Sequence, residues 1–194
     1  LIVLLIAPIF IFIFAPGFYF DDFKKDLAVD ILRIMFPYLA LISLVAFSSG
    51  IQNSHDRFSL PAFTPLIFNI SLIIAAVYLA PKFSIPVFAL AWGVLAAGLM
   101  QLLIHIIALK KINRLPRPNL NWSHPGLKKF ITLVFPAILA GGIIQINLLI
   151  DTIFASLLQT GSPTWLYVSD RLIQFPMGLF AIAIGTVLLP TLSK

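Results

Sequence analysis

IPVFALAWGVLAAGLMQLLIHIIAL, residues 85–109, runs without one Lys, Arg, Asp or Glu. A helix over it is about 37 Å long at a rise of 1.5 Å per residue, enough to cross roughly 30 Å of hydrocarbon. The stretch shows no strict alternation and is longer than the roughly ten residues of a barrel strand, so a spanning helix is the only reading left. Short polar breaks separate five further apolar stretches: Leu1–Phe14, Ile31–Ile51, Phe63–Leu79, Phe130–Leu158 and Trp165–Leu192. The expected fold class is all-α, a polytopic transmembrane helical bundle.

Composition agrees. The chain has 194 residues, 60% hydrophobic and 10% charged, with a mean hydropathy of +1.05. That leaves too little polar surface to cover a water-soluble globule, which excludes soluble enzyme classes. Cys is absent, so thiolate metal sites and cysteine nucleophiles are excluded. Leu1–Phe14 is shorter than a span requires and has no basic leader before the Ala15-Pro16-Gly17 break, so it is expected to be a truncated helix rather than a signal peptide. The chain is accordingly expected to be an internal fragment of a longer polytopic protein. The least apolar stretch, KKINRLPRPNLNWSHPGLKK at Lys110–Lys129, is the expected boundary between lobes.

Orientation follows from counting Lys and Arg in alternate loops. One side holds Lys24, Lys25, Arg33 and Lys82; the other holds Arg57, Lys110, Lys111, Arg114, Arg117, Lys128, Lys129 and Lys194. The second side is expected to be cytoplasmic, which places the acidic Pro16–Asp30 loop outside. The net charge of +6 is then mostly topological bias with some attraction to anionic lipid. No basic–aromatic groove points to nucleic acid.

Ionisable residues inside the spans are the most informative, because an isolated charge at bilayer depth costs at least about 2.5–3.5 kcal/mol. Asp151 precedes a very short turn at Gln159–Thr164, and Asp170 and Arg171 follow it. In an antiparallel hairpin Asp151 and Arg171 sit at similar depth and can meet, either as a neutralising pair that holds the hairpin or as part of a hydrated cavity. Asn147 lies one turn before Asp151 on the same face. Asp170 is rotated about 100° from Arg171, so one partner cannot serve both. Gln145, on roughly the opposite face from Asn147, is expected to hydrogen-bond a neighbouring helix. Pro37, Pro136 and Pro176 interrupt spans, and Gly141-Gly142, Gly178 and Gly185 remove side chains where helices approach or bend, which is also common in inert spanning helices. The turn within Ser48–Pro65, with Ser54, Pro61 and Pro65, suits a gate or hinge and equally suits a plain loop.

No catalytic set emerges. His55, His105 and His124 have no second ligand at i+3 or i+4, Glu is absent, and no Gly-rich phosphate loop precedes a helix. His105 is expected to be a hydrogen-bonded interior residue. Asp151 and Asp170 beside an Arg would both stay ionised, a poor arrangement for acid–base work.

Two stretches carry a resemblance: FPYLALISLVAFSSGIQNSHDRFSLPAFTPLIFNIS at 36–71 and GGIIQINLLIDTIFASLLQTGSPTWLYVSDRLIQFPMGLFAIAIGTVLLPTLSK at 141–194. They resemble the MurJ/MviN family of lipid II flippases, within the multidrug/oligosaccharidyl-lipid/polysaccharide exporter superfamily. The resemblance implies about fourteen spans in two lobes, of which this chain would hold about six. Residues 1–110 would end the N-terminal lobe, 111–129 would form a cytoplasmic inter-lobe linker, and 130–194 would start the C-terminal lobe. It further implies passage of lipid II, a lipid-linked peptidoglycan precursor, from the inner to the outer leaflet of the bacterial cytoplasmic membrane by alternating access, without chemistry on the substrate.

Arg171, within Ser169-Asp170-Arg171-Leu172, matches a cavity arginine of the family that binds the anionic headgroup; Asp170 and Asn147 would complete its surroundings. Asp151 matches a carboxylate that some members use in a sodium site, so coupling to sodium or to membrane potential is expected, with no organic cofactor and no other metal. Ser54, Pro61, Pro65, Thr164, Pro176 and Gly178 are the expected gate or hinge positions. Expected partners are lipid II, membrane lipids and the peptidoglycan-synthesis machinery. The rival readings are export of another lipid-linked oligosaccharide or a drug, and a membrane scaffold that transports nothing.

Overall fold

A computed structural model describes residues 6–116 and 125–176. Among these residues the regular structure is helical throughout. The helices are α1 (Ala7–Phe14), α2 (Pro16–Tyr19), α3 (Asp22–Met35), α4 (Pro37–Asn53), α5 (Ser59–Ile74), α6 (Val87–Lys111) and α7 (Pro125–Leu157), followed by α8 over residues 162–176. Contacts group 23–130 and the start of the chain into one unit, and 10–22 with the residues from 131 onward into another. Four helical segments are long and apolar enough to cross a membrane: Asp22–Asn53, Ser59–Lys82, Val87–Lys111 and Lys129–Leu157.

The first unit is built around α6. Its residues 89, 93, 97, 101, 105 and 109 recur every fourth position, and all six are buried; this spacing places them along one face of a helix. That face packs against α4 and α5. One end of the stripe is small (Ala89, Gly93, Ala97) and the other is polar (Gln101, His105). Gly98 lets the helices close: a Cβ there would lie 2.7 Å from the Tyr38 ring, a separation that forces something to move. Tyr38 also packs on Phe68, with ring centroids 5.7 Å apart, which ties α4 to α5. After Ile74 helix α5 widens into a π-helical turn, Ala75–Leu79, and ends in a tight 3₁₀ turn, Ala80–Lys82. Pro81 cannot donate a backbone N–H, so the helix cannot continue through it unbroken.

The acidic Pro16–Asp30 segment, expected as a loop, is helical from Pro16 to Tyr19 and again from Asp22. Its charges mark an amphipathic helix rather than a break. Pro16 opens α2, where its missing N–H is harmless, and Asp22 stands in the first turn of α3 with Arg33 in its last, both favourable to the helix dipole. Asp30 and Arg33 face each other at 3.5 Å. Only Phe36 separates α3 from α4, because Pro37 deletes one hydrogen bond of an otherwise continuous helix.

Helix α7 starts at Pro125, inside the stretch 111–129 expected to be linker, and runs unbroken through Pro136. Proline at the first helical position is pre-organised for that start. The turn into α8 uses Gly161 at φ +104°, a conformation that L side chains rarely adopt. The Gly17 N–H donates to Ser156 Oγ at 3.1 Å, so the beginning of α2 lies against the end of α7.

Candidate functional site

Two polar sets stand inside the apolar helices. The first belongs to α7 and α8. Asn147 and Asp151 are one turn apart on α7 and exposed; on α8 Arg171 and Thr164 are exposed and Asp170 is half-buried. The Arg171 guanidinium carbon lies 5.1 Å from the centroid of the Tyr167 ring, a cation–π contact with the residue one turn earlier. Among the described residues no carboxylate comes within 4.0 Å of that guanidinium.

Asp151 and Arg171, expected to be able to meet, therefore do not pair. Helical side chains lean toward the N-terminus of their own helix, and Arg171 follows that lean onto Tyr167 rather than reaching across the hairpin. Among the described residues no group of three or more His, Asp or Glu side chains is placed to hold a metal ion. Gln145 makes no hydrogen bond to a neighbouring helix among the described residues. It lines, with Phe14 and Thr152, a mainly apolar hollow of about 420 Å³.

The expected gate positions fall at helix ends. Ser54 caps the end of α4 by donating from Oγ to the Ile51 carbonyl at 2.8 Å. Pro61 lies in the first turn of α5 and Pro65 inside it; Thr164 is in the first turn of α8, and Pro176 is its last described residue. Gly178 lies outside the described residues.

The second set is sealed. His105 on α6 is 0% exposed and hydrogen-bonded at both ring nitrogens, as expected of an interior residue. Gln52 Nε2 of α4 lies 2.7 Å from Nδ1, and Thr64 Oγ1 of α5 lies 2.9 Å from Nε2. An amide NH₂ can only donate, so Nδ1 accepts, and the remaining ring N–H donates to Thr64. The Thr64 hydroxyl is then free to donate to the Leu60 carbonyl, 3.1 Å away. Gln101 adds a bond from Nε2 to the Thr64 carbonyl at 2.9 Å, while its Oε1 is buried without a partner. One neutral imidazole thus joins α4, α5 and α6. Gln52, Thr64 and Gln101 were not singled out from the sequence. The available signal was the four-residue spacing of Gln101 and His105 on one apolar face.

Comparison with known proteins adds the relatives. The family model described as "Lipid II flippase MurJ" matches residues 1–194. The chain is 43% identical over 188 residues to the lipid II flippase MurJ of Burkholderia cenocepacia, covering 95% of this chain and 36% of the relative. It is 46% identical over 184 residues to a probable lipid II flippase MurJ of Buchnera aphidicola subsp. Acyrthosiphon pisum, covering 95% and 36%. With the corresponding Vibrio cholerae protein it shares 47% identity over 171 residues, covering 88% and 33%. The chain spans about a third of the length of the curated relatives it matches.

Proposed function

Because the chain belongs to the lipid II flippase MurJ family, we propose that it forms part of a transporter that carries lipid II from the inner to the outer leaflet of the bacterial cytoplasmic membrane. The transporter moves its substrate without chemical change, by alternating access. Residues 1–110 end one lobe, 111–129 link the lobes, and 130–194 begin the second.

The observation that carries this reading is the state of Arg171: a guanidinium on an apolar helix, resting on Tyr167 with no carboxylate partner among the described residues. Five N–H donors in a planar fork match the paired oxygens of a pyrophosphate, and an aromatic face supports the cation without occupying those donors. Asp170 next to it and Asn147 on α7 are polar neighbours for the sugar-phosphate headgroup. Asp151 serves a coupling sodium ion; its exposure and its freedom from Arg171 support that role over a structural pair.

The test is complementation, with the full-length protein, of cells depleted of their own flippase. Membrane levels are followed by immunoblot and outer-leaflet lipid II is measured directly. Arg171→Ala is expected to abolish export at normal protein level, and Arg171→Lys to restore it poorly because the charge remains but the fork is lost. Normal lipid II export by Arg171→Ala would remove the proposed headgroup role.

A further inference from the structure

A cleft of about 470 Å³ opens in the first unit between the α4–α5 turn and the C-terminal end of α6. Arg57 reaches it from the turn and Lys111 from the last turn of α6. Neither side chain has an ion-pair or hydrogen-bond partner among the described residues, and neither does Asp56 at the same lip. The turn is held in place: Asp56 adopts φ 57° and the Arg57 N–H donates to the Gln52 carbonyl at 2.9 Å.

The cleft also holds donors without acceptors. Phe58 precedes α5 without a side-chain cap, and the N–H groups of Ser59 and Leu60, both cleft-lining residues, make no hydrogen bond among the described residues. They stand at the positive end of a 16-residue helix. Two unpaired cations and the two residues with free N–H groups line one concave space, a set of donors suited to phosphate oxygens. Acceptors are present as well. Gln52, only 2% exposed, lines the cleft; its NH₂ faces His105 and among the described residues no hydrogen bond reaches its Oε1. The Asp56 carboxylate is the other acceptor. Ala108 and Ile112 add apolar wall.

We infer that this cleft binds the phosphodiester of a membrane phospholipid whose headgroup carries hydroxyls, as a glycerol headgroup does. The phosphate sits against Arg57, Lys111 and the start of α5, and the hydroxyls donate to Gln52 Oε1 and Asp56. Acyl chains leave along the apolar surface of the helices. Inorganic phosphate shares the anionic chemistry but lacks the hydroxyls and the chains. The proposal does not depend on what Arg171 holds. Because Gln52 is bonded on its other side to His105, the bound headgroup adjoins the side chain that joins all three helices.

The test uses the full-length protein purified in detergent and titrated with phosphatidylglycerol, phosphatidylcholine or inorganic phosphate, with bound lipid counted by native mass spectrometry. Phosphatidylglycerol is expected to bind at a saturable site at least about tenfold more tightly than phosphatidylcholine, with no displacement by millimolar phosphate. Arg57→Gln/Lys111→Gln should weaken it by about tenfold or more, the effect of losing two charge-assisted contacts, while Lys110→Gln leaves it unchanged. All three substituted side chains are exposed, and an unchanged unfolding temperature verifies that each variant is folded. Equal binding by wild type and the double variant, equal binding of the two lipids, or displacement by inorganic phosphate would each overturn the proposal, the last by making the cleft a site for free phosphate.

Discussion

His105 and Arg171 are both ionisable side chains set in apolar helices, and their surroundings are opposite. His105 is fully buried, with each ring nitrogen bonded at 2.7 or 2.9 Å to a neighbouring helix. Arg171 is exposed, and its guanidinium rests on an aromatic ring of its own helix with no hydrogen-bond or ion-pair partner among the described residues. A buried polar group that is fully hydrogen-bonded contributes to packing and is costly to disturb. A guanidinium whose donors are unused contributes little to packing and remains able to take a ligand. On the proposed reading of Arg171, hydrogen-bond satisfaction, rather than the mere presence of a polar residue in a span, is what separates architecture from function.

The largest expected effect is therefore on transport and lies in the second unit. Arg171→Ala should reduce lipid II export to background while leaving the unfolding temperature of the purified full-length protein within a degree or so of wild type, because only a cation–π contact of about 0.5–1 kcal/mol is lost. A large drop in stability would break the comparison by making Arg171 structural.

His105→Leu should show the reverse pattern. It removes two interhelical hydrogen bonds and leaves the Gln52 NH₂ without its partner, while the Thr64 hydroxyl keeps its bond to the Leu60 carbonyl. The expected loss is about 2–3 kcal/mol, above the usual yield of a single membrane hydrogen bond because the Gln52 NH₂ remains unsatisfied. Unfolding in a denaturing detergent series measures it. Export per folded molecule should stay near wild type; a stable but inactive variant would show that the network belongs to the transport machinery.

The same contrast explains what could be read beforehand. Apolar stretches of spanning length announce their helices, because in lipid every backbone group must be satisfied within the segment. Residues 16–30 read as a loop from sequence because their charge density resembles a break, although Asp and Lys at helical spacing serve equally as the polar face of a helix. His105 was legible as an interior residue, but Gln52 and Thr64 were not legible as its partners. They come from α4 and α5, and which side chains face each other depends on the rotation of packed helices, which the periodicity of any one helix does not contain. Likewise Arg171 and Asp151 have matching depths in a hairpin, yet depth does not specify rotamer. Tyr167, four residues before Arg171, is the nearer partner along its own helix.

Asp151 offers a finer test of the second unit. Having no ionic bond to Arg171, it should tolerate Asp151→Asn with little loss of stability in sodium-free buffer. What should disappear is the stabilisation that sodium confers on the wild type, about 1.4 kcal/mol when the ion is at roughly ten times its dissociation constant. The unfolding temperature with sodium and with a bulky organic cation provides the readout. Sodium stabilisation retained by Asp151→Asn would exclude Asp151 as the ligand.

Gln101 should show the smallest effect, and it tests whether satisfaction rather than polarity is the deciding property. Its Nε2 donates to the Thr64 carbonyl, but its Oε1 is buried with no partner. Gln101→Leu loses the one bond, worth on average about 0.6 kcal/mol between membrane helices, and at the same time relieves an unpaired carbonyl whose burial costs about 1–3 kcal/mol. The Thr64 carbonyl is not stranded, because within α5 it remains in place to accept the regular helical bond from four residues later. Leu is also close to Gln in volume, so the stripe of α6 stays filled. At the low end of that penalty the two terms nearly cancel, and Gln101→Leu should fall within about 1 kcal/mol of wild type, on the stabilising side. His105→Leu, one turn away on the same buried face, should instead cost about 2–3 kcal/mol. If the two substitutions destabilise equally, satisfaction is not the property that distinguishes them, and the difference between the sealed network and the open α8 arginine would have to be explained by depth alone.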